Sequence, residues 1–179
     1  SPSFFQVNIE QAAKTVETVR HCLNLHSEDV LLDAYTGVGT FAVLLAPYVK
    51  KVIAVEESSA AVTDAKENAI GVENLEFVLG RTEEVLHRLQ DKPTALVLDP
   101  PRSGCKTEAL ESLIKLRISK VAYVSCDPET LARDLKVLCG GGYCLSQVIP
   151  IDMFPQTHHV ECVADLRFVG PVMTDTQQL

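Results

Sequence analysis

Three residues with usable chemistry stand where apolar runs stop or begin. Cys126 follows "VAYVS", Asp99 closes "TALVLD" ahead of two prolines, and Glu161 lies inside "HHVECVADLRF". An ionised thiol is a strong nucleophile, and a carboxyl among apolar neighbours has its pKa raised towards general-base duty. Glu161 follows His159 at spacing two, so in an extended strand both side chains share a face. A His-x-Glu tripeptide also occurs in zinc deaminases, but no Pro-Cys-x-x-Cys follows it here, and no metal is expected. For His158 and His159 the expectation is a hydrogen-bonded structural role.

A second group of residues suits ligand binding. "LDAYTGVGTFA" holds Gly37, Gly39 and Ala42 in GxGxxA spacing, which lets backbone approach a ligand at a helix N-terminus. Such a loop fits a dinucleotide fold, a methyltransferase or a plain tight turn. Glu56 ends the next apolar run, 17 residues beyond Gly39, where an acid can accept hydrogen bonds from the two ribose hydroxyls of an adenosine cofactor. Pro100 and Pro101 stiffen the loop after Asp99 and supply no backbone donors, so Asp99 should project into the same cleft as Cys126.

Positioning these groups requires strands that end together. Helical periodicity from about Ile9 to Leu23 precedes a strand (Val30 to Leu32), the glycine turn and a helix from about Thr40 to Val49. The alternation repeats: "KVIAVE" and a helix from Ser58 to Ile70, "LEFVLG" and a helix from Glu83 to Leu89, "TALVLD" and a helix from Thr107 to Leu116. Val121 to Val124 form the next strand, and Asp127, Pro128 and Glu129 start a helix running to about Leu138. Near-continuous apolar strands alternating with helices predict a mostly parallel, twisted sheet covered on both faces, with ligands at the strands' carboxyl ends. After Gly140 to Gly142, "YCLSQVIPIDMF" and "HHVECVADLRF" read as two strands with no helix between them, adding an antiparallel strand at the sheet's edge.

The 179 residues, 46% hydrophobic and 22% charged, fit one globular domain, expected over residues 1–170 with 171–179 as a flexible tail. No apolar run is long enough for a membrane span, and the expected location is cytoplasmic. "SPSFFQVN" reads as the start of a cut chain. A net charge of −8 argues against holding a large nucleic acid by electrostatics alone, so RNA affinity would be weak without further segments. The six cysteines show neither CxxC pairs nor a disulfide framework.

"SFFQVN" (Ser3 to Asn8), "LDAYTGVGTF", "LDPPRSG", "YVSCDPETLARD" and "DMFPQTHHVE", in this order and spacing, resemble the catalytic domain of the RNA (uracil-5-)-methyltransferase family. The resemblance runs from Ser3 to about Phe168 and implies a Rossmann-like class I S-adenosylmethionine-dependent methyltransferase fold acting on tRNA or 23S rRNA. It implies that Cys126 adds to carbon 6 of uracil, making carbon 5 nucleophilic, and that Glu161 later removes the carbon 5 proton. It places Gln6, Tyr35, Gly37, Gly39, Thr40, Glu56 and Asp99 around the cofactor S-adenosyl-L-methionine, with Asp99 also against the flipped uracil. The chain departs from the family's frequent Cys-Asn-Pro at Asp127 and from its frequent Tyr-Cys-Gly at Thr36. Pointing inwards, Asp127 would raise the thiol's pKa; capping the following helix, it has this effect offset by the helix dipole. Other readings are a methyltransferase acting on a base nitrogen, an NAD-dependent oxidoreductase, and a cofactor-binding module inactive without its RNA-holding parts. The first and second leave Cys126 without a task.

Overall fold

A computed structural model describes residues 9–151 and 161–170. Seven strands form one sheet: β1 (Val30–Ala34), β2 (Lys51–Glu56), β3 (Leu75–Leu79), β4 (Ala95–Leu98), β5 (Lys120–Ser125), β6 (Tyr143–Ile151) and β7 (Glu161–Phe168), in the order β3-β2-β1-β4-β5-β7-β6. β1 to β5 pair in parallel, and β7 pairs antiparallel with both β5 and β6. The expected antiparallel strand is thus present one place in from the edge rather than at it. β6, exposed along most of its length, takes the edge, while β7 is buried from Cys162 to Leu166. The Gly141-Gly142 turn sends β6 out past the position that β7 fills on the chain's return.

Alternation along the strands splits the core in two. Leu31, Val52, Ala54 and Val97 face α1 (Ile9–Leu23) and α2 (Thr40–Leu45), whose Val16, Val19, Leu23, Phe41 and Leu45 cover them. Leu32, Ile53, Leu96, Leu98 and Tyr123 face the opposite way, against α4 (Thr82–Leu86), α5 (Thr107–Leu116) and α6 (Pro128–Gly140). α3 (Ser59–Asn68) is capped by Ser58, whose hydroxyl accepts from the Ala61 N–H at 3.3 Å. Helix boundaries depart from the periodic pattern where local geometry overrides it. α2 stops at Leu45 and tightens into a 3-10 turn (Ala46–Tyr48) because Pro47 cannot continue the hydrogen-bond ladder. α4 keeps only five residues, starting at Thr82 rather than Glu83.

One buried carboxylate ties this framework together behind the strand ends. Asp134, fully buried on α6, accepts from the Tyr123 hydroxyl at 2.6 Å, from the Cys105 N–H at 2.7 Å and from Arg133 Nε at 2.8 Å. Arg133 also donates to the carbonyls of Ser103 at 2.9 Å and Cys105 at 3.3 Å. The loop after β4 is therefore clamped to the helix after β5. Gly104 permits the approach: at φ 76 it lies in the left-handed region, and a Cβ there would come within 2.5 Å of Arg133 Nη2 and 2.6 Å of Asp134 Oδ2.

Replacing Asp134 by Ala strands two buried donors and a guanidinium at once, so Asp134→Ala should lower the unfolding free energy by about 3 kcal/mol or more. Denaturant titration should show an earlier midpoint with an unchanged slope. A midpoint within error of the parent would show that the clamp does not hold the fold.

Candidate active site

All the groups singled out by their chemistry lie at one end of the sheet. Parallel β1, β2, β4 and β5 present their carboxyl ends there, and β7, running the other way, presents its first residue, Glu161. Cys162 pairs with Ser125, so Glu161, the first residue of β7, lies beside Cys126, the residue just beyond β5. Cys126 itself is exposed.

The glycine loop forms where β1 stops. Tyr35 at φ 66 and Gly39 at φ 86 both take left-handed backbone, and Gly39 precedes the first turn of α2. A Cβ on Gly39 would sit 3.3 Å from Ala65 Cβ, so this glycine serves packing of the loop on α3. Glu56 closes the loop from the side: its Oε2 accepts from the Gly37 N–H at 3.0 Å and its Oε1 from the Ser58 N–H at 2.8 Å.

Two cavities flank this loop and share Tyr35 and Asp99 as a common wall. The smaller, about 330 Å³, is bordered by Glu56, Thr82, Glu83, Gly104 and Lys106. The larger, about 440 Å³, is bordered by Thr15, Gly37, Thr40, Phe41 and Ser58. Their sizes suit small ligands. Glu56, Glu57, Glu83 and Asp99 line the smaller one against a single Lys106, which is itself paired with Glu83 at 2.9 Å. A pyrophosphate would meet mostly carboxyl groups there, which disfavours a dinucleotide.

Electrostatics single out three acids. Burial pushes Asp99 up to about 8, helped by the charges of Glu161 and Asp33, although its side chain keeps some contact with the cleft. Burial pushes Asp33, on β1, up to about 7, against a hydrogen bond from Thr36 Oγ1 at 2.5 Å to its Oδ2. Its other oxygen, Oδ1, is buried with no hydrogen-bond partner among the described residues. Burial also raises Glu161, opposed by the hydroxyl of Thr15 on α1, which donates to Oε2 at 3.3 Å. Although the residue is exposed overall, partial desolvation raises the Cys126 thiol first, then Asp99 and Glu161 do, while its own backbone N–H and Arg102 act the other way. Asp127 does not oppose it. Its carboxylate caps α6, accepting from the Thr130 N–H at 3.0 Å, with Arg102 Nε 3.5 Å away.

Of the residues expected from sequence, Tyr35, Gly37, Thr40, Glu56 and Asp99 line the cavities, and Cys126 and Glu161 couple to Asp99 through their charges. Gln6, His158 and His159 lie outside the described residues. Asp33, Thr15 and the Arg133–Asp134 pair were not expected. An acid inside the otherwise apolar "VLLDA" was the signal for Asp33, whereas nothing in the helical pattern marks Thr15. Among the described residues no cluster could hold a metal ion, and no helix is long and apolar enough to cross a membrane.

Comparison with known proteins gives these residues a context. The sequence profile of the family described as tRNA (Uracil-5-)-methyltransferase matches residues 1–167. An uncharacterized RNA methyltransferase of Oceanobacillus iheyensis is 44% identical over 169 residues, covering 92% of this chain and 37% of that protein. One from Synechocystis is 45% identical over 171 residues, covering 94% and 37%. The chain thus spans little more than a third of the length of these curated relatives. The crystal structure of a Pyrococcus abyssi tRNA (uracil-54, C5)-methyltransferase, solved with S-adenosyl-L-homocysteine, superposes with a TM-score of 0.80 at 35% identity, over 92% of this chain and 40% of that one. An rRNA methylase of Streptococcus thermophilus, with a TM-score of 0.66 at 19% identity over 87% of this chain and 94% of that one, shares the fold alone. The architecture is that of Rossmann-like class I methyltransferases.

The raised acids make stability depend on pH before any ligand is added. A carboxyl whose folded pKa exceeds its ordinary 3.8 binds more protons folded than unfolded between the two values, so stability falls as pH rises through that window. The thermal midpoint of the ligand-free protein should therefore decline from about pH 4 to pH 8 through these two groups. Asp33→Asn and Asp99→Asn should each flatten that decline. A slope unchanged in both variants would place the acids at ordinary pKa values.

Proposed function

The chain belongs to the tRNA (uracil-5-)-methyltransferase family, and on that premise we propose that it methylates carbon 5 of a uridine in tRNA or 23S rRNA, using S-adenosylmethionine. The observation that carries this reading is that Cys126 and Glu161 lie at adjacent strand ends, both within the electrostatic reach of Asp99, which walls the two cavities. A nitrogen methylase or an oxidoreductase would need no thiol there.

The residues present fit the cofactor. Asp99 is a half-buried carboxyl on the shared wall of both cavities, and the acid-lined smaller cavity suits a cationic ligand. Tyr35, Gly37, Thr40, Glu56 and Asp99 would hold it, with the second lone pairs of the Glu56 oxygens available to ribose hydroxyls. Bound S-adenosylmethionine supplies an electrophilic methyl group on a cationic sulfur.

The chain's own residues perform the remaining work. Cys126 Sγ, as thiolate, forms a bond to carbon 6, and the carbon 5–carbon 6 π pair moves into an enolate, making carbon 5 nucleophilic. Once carbon 5 carries the methyl group, the Glu161 carboxylate takes its proton. The freed electron pair restores the double bond and expels Cys126 as thiolate. Asp99, mostly protonated near neutral pH, can donate a hydrogen bond to a uracil oxygen while adding little negative charge. A base within a stack must first be extruded to reach these groups.

In the complete protein, Cys126→Ala should form no covalent RNA adduct, whereas Glu161→Gln should accept the methyl group and stall as a slow-migrating band on denaturing gels. A 5-fluorouridine substrate should trap the parent in the same way, since fluorine cannot leave as a proton does. Near-normal turnover by Cys126→Ala would remove the nucleophile assignment. Separately, Glu56→Ala should weaken S-adenosylhomocysteine binding by about 1 to 3 kcal/mol, read by titration calorimetry. Unchanged affinity would take Glu56 out of the cofactor site.

A further inference from the structure

Glu161 must do two things that conflict. It has to be basic enough to take a proton from carbon, and it has to be ionised when the methylated adduct forms. The groups facing it among the described residues favour neither orientation nor ionisation. Asp99, beyond β4, is another acid, Cys126, beyond β5, becomes an anion in its reactive form, and Cys162 is the next residue on its own strand. Ile151 on β6 pairs with it and offers no side-chain donor. The exception comes from outside the sheet's carboxyl ends. Thr15, at 1% exposure on α1, points its hydroxyl at Glu161 Oε2 at 3.3 Å and at the same time borders the larger cavity beside Asp99.

We propose that Thr15 is a positioning residue for the general base, holding one carboxylate oxygen of Glu161 so that the other is presented to the carbon 5 proton. The proposal rests on the reading of Glu161 as that base. α1 is suited to the task because Val16 and Val19, next to Thr15 and one turn on, are locked into the core against β5 and β7, leaving the hydroxyl little freedom. The bond is donated to the charged form of the carboxyl, so it also counters the effect of burial, and Thr15 is the side chain that lowers Glu161 against desolvation.

The test follows the decay of the methylated covalent adduct in the complete protein, after a single turnover, as a function of pH. Thr15→Val keeps the shape and removes the donor; Thr15→Ser keeps the donor. Thr15→Val should slow adduct decay about 3- to 10-fold near neutral pH, more than it slows adduct formation measured in the same reaction, and should move the acid limb of decay to higher pH. Thr15→Ser should restore both. A packing defect alone would lower the thermal midpoint without moving the acid limb. If Thr15→Val decays with the parent's pH midpoint while Glu161→Gln still stalls, the proposal is overturned and Glu161 keeps its role. If Glu161→Gln itself decays freely, the base assignment fails and the proposal falls with it.

Discussion

Asp134 is the group on which the arrangement of the cleft depends. Its charge lies entirely inside the protein, which is tolerable only because Arg133, Tyr123 and the Cys105 N–H surround it with donors. Those donors come from α6, β5 and the loop after β4, so satisfying one carboxylate fixes three elements relative to each other. That loop begins at Asp99, and α6 begins just after Cys126. Thr130 Oγ1 reinforces the join by donating to the Arg102 carbonyl at 3.1 Å. The acid of one strand end and the thiol of the next are thereby held in a common frame, which also braces Ser103 and Gly104 on the wall of the smaller cavity.

Strand direction completes the set. In a purely parallel sheet each element contributes to the cleft only through the loop after its strand. Because β7 runs antiparallel beside β5, its first residue comes to the same end, and an acid 35 residues beyond Cys126 arrives next to it. The consequence is a concentration of acidic groups at one end of the sheet. Asp33, Asp99 and Glu161 are all pushed towards their neutral forms by burial, and Asp33 keeps an unpaired oxygen. Beside the smaller cavity Glu56, Glu57 and Glu83 add carboxylates that favour a cation over a pyrophosphate, which is the electrostatic reason for preferring a sulfonium cofactor over a dinucleotide here.

The repeat of apolar runs and helical stretches made the parallel sheet legible from sequence, and local chemistry marked its functional ends: Asp127 ahead of Pro128 for the start of α6, two glycines for the loop after β1. What escaped depended on contacts distant in sequence. The place of β7 inside the sheet is decided by pairing with β5, which two adjacent strand patterns cannot reveal. Thr15 is ordinary in an amphipathic helix until α1 is laid against β7, 146 residues away. Asp134 reads as a solvated helix residue next to an arginine, and its burial follows only from the packing of α6 on the loop at Gly104. Asp33 was the legible exception, an acid in a buried strand, yet its unpaired oxygen is evident only once its neighbours' donors are counted.

The same accumulation of acids bears on how a thiol could ionise in this cleft. Cys126 is opposed by burial first and by the charges of Asp99 and Glu161 second. Left fully ionised, those two carboxyls would make a thiolate costly. But Asp99, raised to about 8 by burial and by Glu161 and Asp33, is mostly neutral at pH 7, so the mutual repulsion of the acids removes part of the charge that the thiolate would otherwise face. The residue between the thiol and its helix contributes in the same direction: Asp127 spends its charge on the Thr130 N–H and near Arg102, leaving Arg102 on the favourable side of the balance at Cys126. On the covalent reading, crowding the acids together therefore serves the nucleophile as well as the cofactor, since each proton they retain is a negative charge withheld from the space beside Sγ.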